Sequence, residues 1–275
     1  GSSGGSYYER ENYALGRSME PGSTFKLATM LTLLDDAGMS PETTYDTHNG
    51  DPVTVGPARN IRDSHRGDHV IDFRRAVASS SNVYFAKAIW ERYADNKERY
   101  SDFMKKLHLD QTVGLEAFGE KKPLFQDWKE VPDPNSMLVR RSFGYRIKLS
   151  PIQVITLYNA IANGGKLVRP RLVKAIMRDG EVVQEFPVQV VKEQIAKPQT
   201  IEWIQRILRE VVSEGLGKKA GSDKFEVAGK TGTAQMSKGA LGYKAGGTNY
   251  LLSFAGYFPA DNPRYSCIVC IQKEG

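Results

Sequence analysis

The sequence predicts an α+β domain, an antiparallel sheet with helices packed on it, and three observations carry that prediction. Helical stretches with start and stop signals occupy residues 24–37, 72–108, 150–165 and 199–214. Strand patterns fill the C-terminal third, over 225–236, 248–258 and 264–272, with the turn PADNP joining the last two. A helical middle followed by a meander, without internal repeats, is the layout of a sheet covered by helices. At 275 residues, 40% hydrophobic and 25% charged, the chain has the length and composition of a globular protein with a sizeable core.

Residues 24–37 are apolar around most of a helical surface, so that helix is expected to be buried. Pro21 and Gly22 precede it and Gly38 closes it. Residues 39–70 are rich in Pro, Gly, Asp, His and Asn, which predicts irregular chain with short extended pieces of the kind that frames a site. Two helices follow, at 72–78 and 82–93, separated by three serines, and a third covers 97–108. Ser150 and Pro151 open a strong helix that Asn163-Gly164-Gly165 ends. LVKAIMRDGEVVQEF reads as a hairpin turning at Asp179-Gly180, and residues 199–214 as an amphipathic helix.

Composition removes several classes of function. The net charge of +6 comes from scattered basic residues, with no Lys/Arg run beyond two or three and no zinc-finger spacing, so nucleic acid is not expected as a partner. No run of about 18 apolar residues occurs, so no membrane-spanning helix is expected within this sequence. No signal peptide is visible, and GSSGGS at residues 1–6 reads as a linker or tag, which leaves 7–275 as the folded domain. Cys267 and Cys270 fall three apart on an expected strand, where they point to opposite faces about 10 Å apart, too far for a disulfide.

The chemistry begins at Ser23 and Lys26. Three residues apart at a helix start, they share a face within one turn. Burial would depress the lysine's pKa and let it take the serine's proton, while the free N–H groups of the helix start favour developing negative charge. The S-x-x-K pattern is weak alone. Two further patterns follow it in order: Ser80-Ser81-Asn82, an S-x-N between two helices, and Lys230-Thr231-Gly232-Thr233 inside an expected strand. A strand interior disfavours glycine, so Gly232 points to something approaching the strand closely.

S-x-x-K, S-x-N and K-T-G in that order form the signature of penicillin-binding proteins and serine β-lactamases. With EPGSTFK, SSNV, LSPIQ, NGGKLVRP, GKTGTAQ and SFAGYFPADNP also in sequence, the chain resembles, from about residue 13 onward, the transpeptidase domain of class B (monofunctional) penicillin-binding proteins, with a lean toward the septal, cell-division branch. The resemblance implies the penicillin-binding protein/serine β-lactamase-like transpeptidase fold and a peptidoglycan D,D-transpeptidase without a cofactor. It implies that Ser23 is acylated by the penultimate D-alanine of a stem peptide, with Lys26 as base, and that Ser80, in contact with Lys26 and Lys230, passes a proton to the leaving amine. Asn82 would bind the donor amide, and Lys230, Thr231 and Thr233 the substrate carboxylate, with Gly232 admitting the backbone. The N–H groups of Ser23 and Thr233 would form the oxyanion hole. β-Lactam antibiotics would acylate Ser23. A septal glycosyltransferase and divisome proteins would be partners, and the site of action would be the periplasmic, extracytoplasmic face of the inner membrane, with an N-terminal transmembrane anchor outside this sequence.

Two departures stand out. Arg146 occupies a position where the family has glycine in GYG, which puts the local backbone in question. The strands expected before the active-site helix and the helix expected after the last strand are missing from the sequence, so an exposed sheet edge and an uncovered apolar face are expected. A serine β-lactamase or a β-lactam sensor domain on the same fold is the alternative. The remaining candidates read as ordinary structure: His65 and His69 in a polar turn and not a metal pair, Asp35-Asp36 as a helix end, and Trp90, Trp128 and Trp203 as packing.

Overall fold

The computed structural model describes residues 2–3, 5–7, 11–236 and 249–274. A two-residue ladder joins β1 (Ser2–Ser3) and β2 (Ser6–Tyr7), and α1 (Tyr13–Gly16) follows, started by Asn12, whose side chain accepts from Ala14 N. The expected first helix is one helical segment in three windings: a 3₁₀ turn at Gly22–Phe25, α2 (Lys26–Leu31) and a π turn at Thr32–Asp36. Every residue of α2 is buried, as its all-round apolar pattern requires.

The irregular region holds two short ladders, β3 (Tyr45–Asp46) with β6 (Val70–Ile71) and β4 (Val53–Val55) with β5 (Ala58–Ile61). Helices α3 (Phe73–Ala78), α4 (Asn82–Tyr93) and α5 (Lys97–Lys106) come next. Their caps are Asp72, Ser81 and Asn96, each accepting from a backbone N–H three residues on. Helix α6 (Pro134–Arg141) was not anticipated, although Asp133-Pro134 carries its start signal. Helix α7 (Pro151–Ala162) begins where Ser150-Pro151 places it, with Ser150 N donating to Gln153 Oε1 at 2.8 Å.

Strand β7 (Leu167–Val168) pairs with β10 (Val190–Lys192), and the hairpin of β8 (Ala175–Arg178) and β9 (Glu181–Glu185) turns at Asp179-Gly180 as expected. Helix α8 (Pro198–Ser213) buries Ile201, Ile204, Ile207, Leu208 and Val211, the stripe its period predicts.

The main sheet is antiparallel in the order β11 (Ala228–Met236), β12 (Asn249–Phe258), β13 (Tyr265–Glu274), so among the described strands it is an unbroken meander. Residue 248, expected to begin β12, lies outside the described residues. Lys230 pairs with Ala255, Gly232 with Ser253 and Thr233 with Leu252. Helix α8 packs on β11 and α7 on β12 and β13, with α2 between them. This sandwich of helices on a sheet is the expected α+β arrangement, with five two-stranded ladders outside it in place of a single sheet. Along β13, the last strand of this sheet among the described strands, Tyr265, Val269 and Ile271 form an exposed apolar row. A second apolar cluster joins Val55, Ala58 and Ile61 of β4–β5 to Val83, Ala86, Val139 and Phe143 and seats that hairpin against the start of α4.

Candidate active site

Ser23 lies on the 3₁₀ turn, and this differs from the expected α-helical start. A 3₁₀ turn stacks residues i and i+3 over one another, and Lys26 N donates to Ser23 O within it, so Lys26 stands directly above Ser23. The turn is pinned from several sides. Gly22 N donates to Gly144 O at 3.2 Å, Thr24 Oγ1 donates to Pro21 O at 2.9 Å, and the buried Tyr158 hydroxyl donates to Thr24 O at 2.8 Å. Gly22, at φ +56°, passes so close to β11 that a Cβ there would sit 3.2 Å from Thr233 O. The backbones of Ser23 and Thr233 are thereby neighbours.

Five of the sequence-predicted residues meet in one largely buried network. Lys26 Nζ donates to Ser80 O at 2.6 Å, Ser80 Oγ at 3.1 Å and Asn82 Oδ1 at 2.8 Å. Lys230 Nζ donates to the same Ser80 Oγ at 2.9 Å and to Thr231 O at 3.1 Å. Both ammonium groups are fully buried. Burial, and secondarily the neighbouring Lys230, holds Lys26 well below the usual lysine range, against a smaller opposing pull from Asp63. Burial pushes Lys230 down to about 7. Of the three groups facing Lys26, only the Ser80 hydroxyl can also donate, so a neutral Lys26 can accept its proton while Lys230 donates to the same oxygen. The hydroxyl of Ser80 thus bridges the two lysines. The Ser23 hydroxyl, half-buried on its turn, makes no hydrogen bond to Lys26 among the described residues.

Along β11 the burial alternates. Lys230, Gly232 and Ala234 are buried, Thr231 is intermediate and Thr233 is exposed. A Cβ on Gly232 would overlap Ser253 Oγ and lie 3.0 Å from Thr24 Cγ2 and 3.3 Å from Pro21 O, so the close approach inferred from that glycine is made by β12 and by the Ser23 turn. Among the described strands β11 pairs only with β12, and toward the C-terminal end of β11 Gln235 N donates to the Tyr145 hydroxyl at 3.2 Å.

Three features of the site were not legible from the motifs. Ser80 adopts φ +57°, a left-handed conformation that side chains rarely take. Asp63, just beyond β5, accepts from Ser81 Oγ at 2.7 Å, Asn82 N at 2.5 Å and Val83 N at 2.9 Å. The 144–146 loop braces the Ser23 turn: besides the Gly22 bond, Arg146 N donates to Glu20 Oε1 at 2.9 Å, and the Tyr145 hydroxyl accepts from Gln235 N on β11 at 3.2 Å. Arg146 sits at φ +60°, so it keeps the left-handed backbone that a glycine would adopt. Buried Arg141 holds it there, its Nε donating to Arg146 O at 3.3 Å and its guanidinium 4.4 Å from the ring centres of Phe125 and Trp128. A left-handed residue before buried Ile147 has no sequence signal when it is not glycine.

The remaining candidates are structural. Asp35 accepts from Lys197 N at 2.7 Å at the start of α8, and Asp36 accepts from the Tyr93 hydroxyl at 2.6 Å. Trp128 is buried and donates to Lys97 O, and Trp90 and Trp203 pack on the core. His69 contacts Asp46 and Asn49, and His65 contacts Ser64. Among the described residues no group of three or more His, Cys, Asp or Glu is gathered as a metal would need. Cys267 and Cys270 are free thiols.

The chain is 29% identical over 274 residues to stage V sporulation protein D of Bacillus subtilis, covering 98% of this chain and 40% of that protein. It is 26% identical over 276 residues to the peptidoglycan D,D-transpeptidase FtsI homolog of Mesostigma viride, covering 92% and 45%. The chain thus spans less than half the length of these relatives. Penicillin-binding protein 3 of Mycobacterium tuberculosis, solved in complex with ampicillin, superposes with a TM-score of 0.80 at 27% identity, over 96% of this chain and 58% of that one. The family described as the penicillin-binding protein transpeptidase domain matches residues 3–275, and with its three motifs gathered around one buried lysine pair the chain belongs to that family.

Proposed function

We propose that this chain is the catalytic domain of a peptidoglycan D,D-transpeptidase that works through an acyl-enzyme on Ser23. The observation that carries the reading is the Ser80 hydroxyl, bridged by Lys26 and Lys230 beside the Ser23 turn and strand β11. A stem peptide lies along β11, its carboxylate held by Lys230, Thr231 and Thr233 and its amide by Asn82. Ser23 Oγ attacks the penultimate D-alanine carbonyl as Lys26 takes its proton, and the oxyanion is met by the N–H groups of Ser23 and Thr233. The proton passes through Ser80 to the amine of the departing D-alanine as the peptide bond breaks. The amine of a second stem peptide then attacks the Ser23 ester, and Ser23 regains a proton.

β-Lactams enter the same path and stop at the acyl-enzyme. Hydrolysis of that ester, the β-lactamase alternative, needs a free base beside it, and the carboxylate whose charge reaches Lys26, Asp63, already accepts three hydrogen bonds. Residues 7–275 form the domain in this reading and 1–6 a linker. The domain works on the extracytoplasmic face of the membrane, attached through a segment outside this sequence, with a septal glycosyltransferase and division proteins as partners. No helix of the described residues is long and apolar enough to cross a membrane.

Intact mass after incubation with benzylpenicillin, followed over hours beside Ser23→Ala, tests the reading. A stable single adduct absent from the variant is expected. An adduct that disappears within minutes would move the assignment to β-lactamase, and an adduct on Ser23→Ala would overturn the nucleophile.

A further inference from the structure

We propose that Asp63 is a positioning residue of the acylation machinery. Its carboxylate locks the 80–82 turn so that Ser80 and Asn82 face Lys26. The proposal rests on the reading of Ser23 and Lys26 above, and it deepens that reading by naming what holds the lysine's partners in place.

Asp63 is the meeting point of the turn's otherwise unsatisfied donors. Oδ1 takes both Asn82 N and Val83 N, the first N–H groups of α4, and Oδ2 takes the Ser81 hydroxyl. Ser81 Oγ in turn accepts from Tyr84 N at 3.1 Å, so the helix start carries two stacked caps, one from its own N-cap residue and one from 18 residues away. This matters for Ser80, whose left-handed backbone has to be held by its surroundings. On its N-terminal side Ser80 N donates to Val77 O; on its C-terminal side Ser81 N donates to Ala76 O, and Asp63 takes the Ser81 hydroxyl and the Asn82 N–H. Asn82 is gripped at both ends, with its N–H on Asp63 and its Nδ2 donating to Arg62 O at 2.9 Å, which aims Oδ1 at Lys26.

The carboxylate is itself fixed. Asp63 N donates to Gly50 O at 3.0 Å. Gly50, at φ +83°, lies so near that a Cβ on it would sit 3.0 Å from Asp63 Cβ, and β4–β5 is anchored by buried Val55, Ala58 and Ile61. Around Lys26 stand Lys230 from β11, Ser80 and Asn82 from the turn, and the Phe85 ring of α4, 5.6 Å from Nζ. Asp63 supplies the negative charge in that surrounding, and it opposes the burial and the Lys230 charge that drive the proton off. On its open side Asp63 borders a cleft of about 230 Å³ shared with His65, Arg66, Asp68, Arg75, Glu214 and Lys218.

The test titrates the lysine side chains by heteronuclear NMR in the parent protein, Asp63→Asn and Asp63→Glu, with Lys26 assigned from Lys26→Arg, and measures benzylpenicillin acylation against pH on the same samples. In Asp63→Asn the Lys26 midpoint is expected to fall, and the acid limb of acylation to move to lower pH with it, as removal of an opposing negative charge requires. Asp63→Glu keeps the charge but lengthens the arm, so it lowers the plateau rate and leaves the midpoint in place. A Lys26 midpoint unchanged in Asp63→Asn overturns the electrostatic role, and a plateau rate unchanged in both variants overturns the positioning role. Failure of the parent to acylate would instead count against the function proposed for Ser23, because the lysine titration reads Asp63 without any acylation.

Discussion

Replacing Gly144 by alanine places a methyl group where the Ser23 turn already is. Gly144 has φ +85°, and a Cβ built on it would overlap Gly22 O and lie 2.6 Å from Gly22 C and 2.7 Å from Gly22 N, against ordinary contacts of 3.4–4 Å. All three are backbone atoms, so no side chain can swing away, and Gly22 must retreat by about 1 Å. Left-handed alanine costs about 1–2 kcal/mol. Losing the Gly22 N to Gly144 O bond costs about 1 kcal/mol more. A total of about 2–3 kcal/mol corresponds to a fall in Tm of about 4–12 °C for a domain of this size. Because the displaced residue adjoins Ser23, acylation should fall by about 100-fold, the usual consequence of a 1 Å misplacement. Stopped-flow acylation with a fluorescent penicillin, with thermal unfolding on the same sample, measures both. Acylation within about threefold of the parent at unchanged Tm would refute the view that the 144–146 loop sets the nucleophile's position.

Arg146→Gly is the complementary change: it keeps the left-handed backbone and removes an exposed side chain, so relief of strain offsets the added chain entropy, and stability should move by less than about 1 kcal/mol with acylation unchanged. Tyr158→Phe deletes a buried hydroxyl that donates to Thr24 O and should cost about 1–2 kcal/mol in chemical denaturation without altering the pH profile. Acylation should rise with pH through about 7 and then level, as the lysine pair loses one proton, with the midpoint belonging to the pair. Stability should follow the same groups. Between pH 7 and the ordinary lysine range the unfolded chain binds protons that the folded chain has released, so this contribution to stability grows with pH and is weakest below 7. Above about pH 10 the buried phenols, Tyr100 and Tyr158 among them, reverse the trend, since burial raises their pKa and unfolding lets them ionise. Urea denaturation midpoints from pH 6 to 10.5 check both signs.

Much of this protein was readable from its residues because the signals are local. Caps at Asp72, Ser81, Asn96 and Ser150-Pro151 started helices where they stood, and the all-round apolar stretch after Ser23 could only be a buried helix. Three short motifs in order named the site. What they did not contain is how it closes. Lys26 meets Ser80 across 54 residues and Lys230 meets it across 150, and only the packing of α2, α4 and β11 brings them to one hydroxyl. The lysines' pKa values follow from that burial, which no spacing encodes. Winding was decided in the same way, since the 3₁₀ turn at Ser23 and the left-handed Ser80 and Arg146 are held by distant partners (Gly144, Asp63 and Glu20) and not by propensity. Sequence determines alone what forms within a turn or two of chain; conformations paid for by contacts from afar belong to the tertiary structure, because the partner that stabilises them is absent until the fold has assembled.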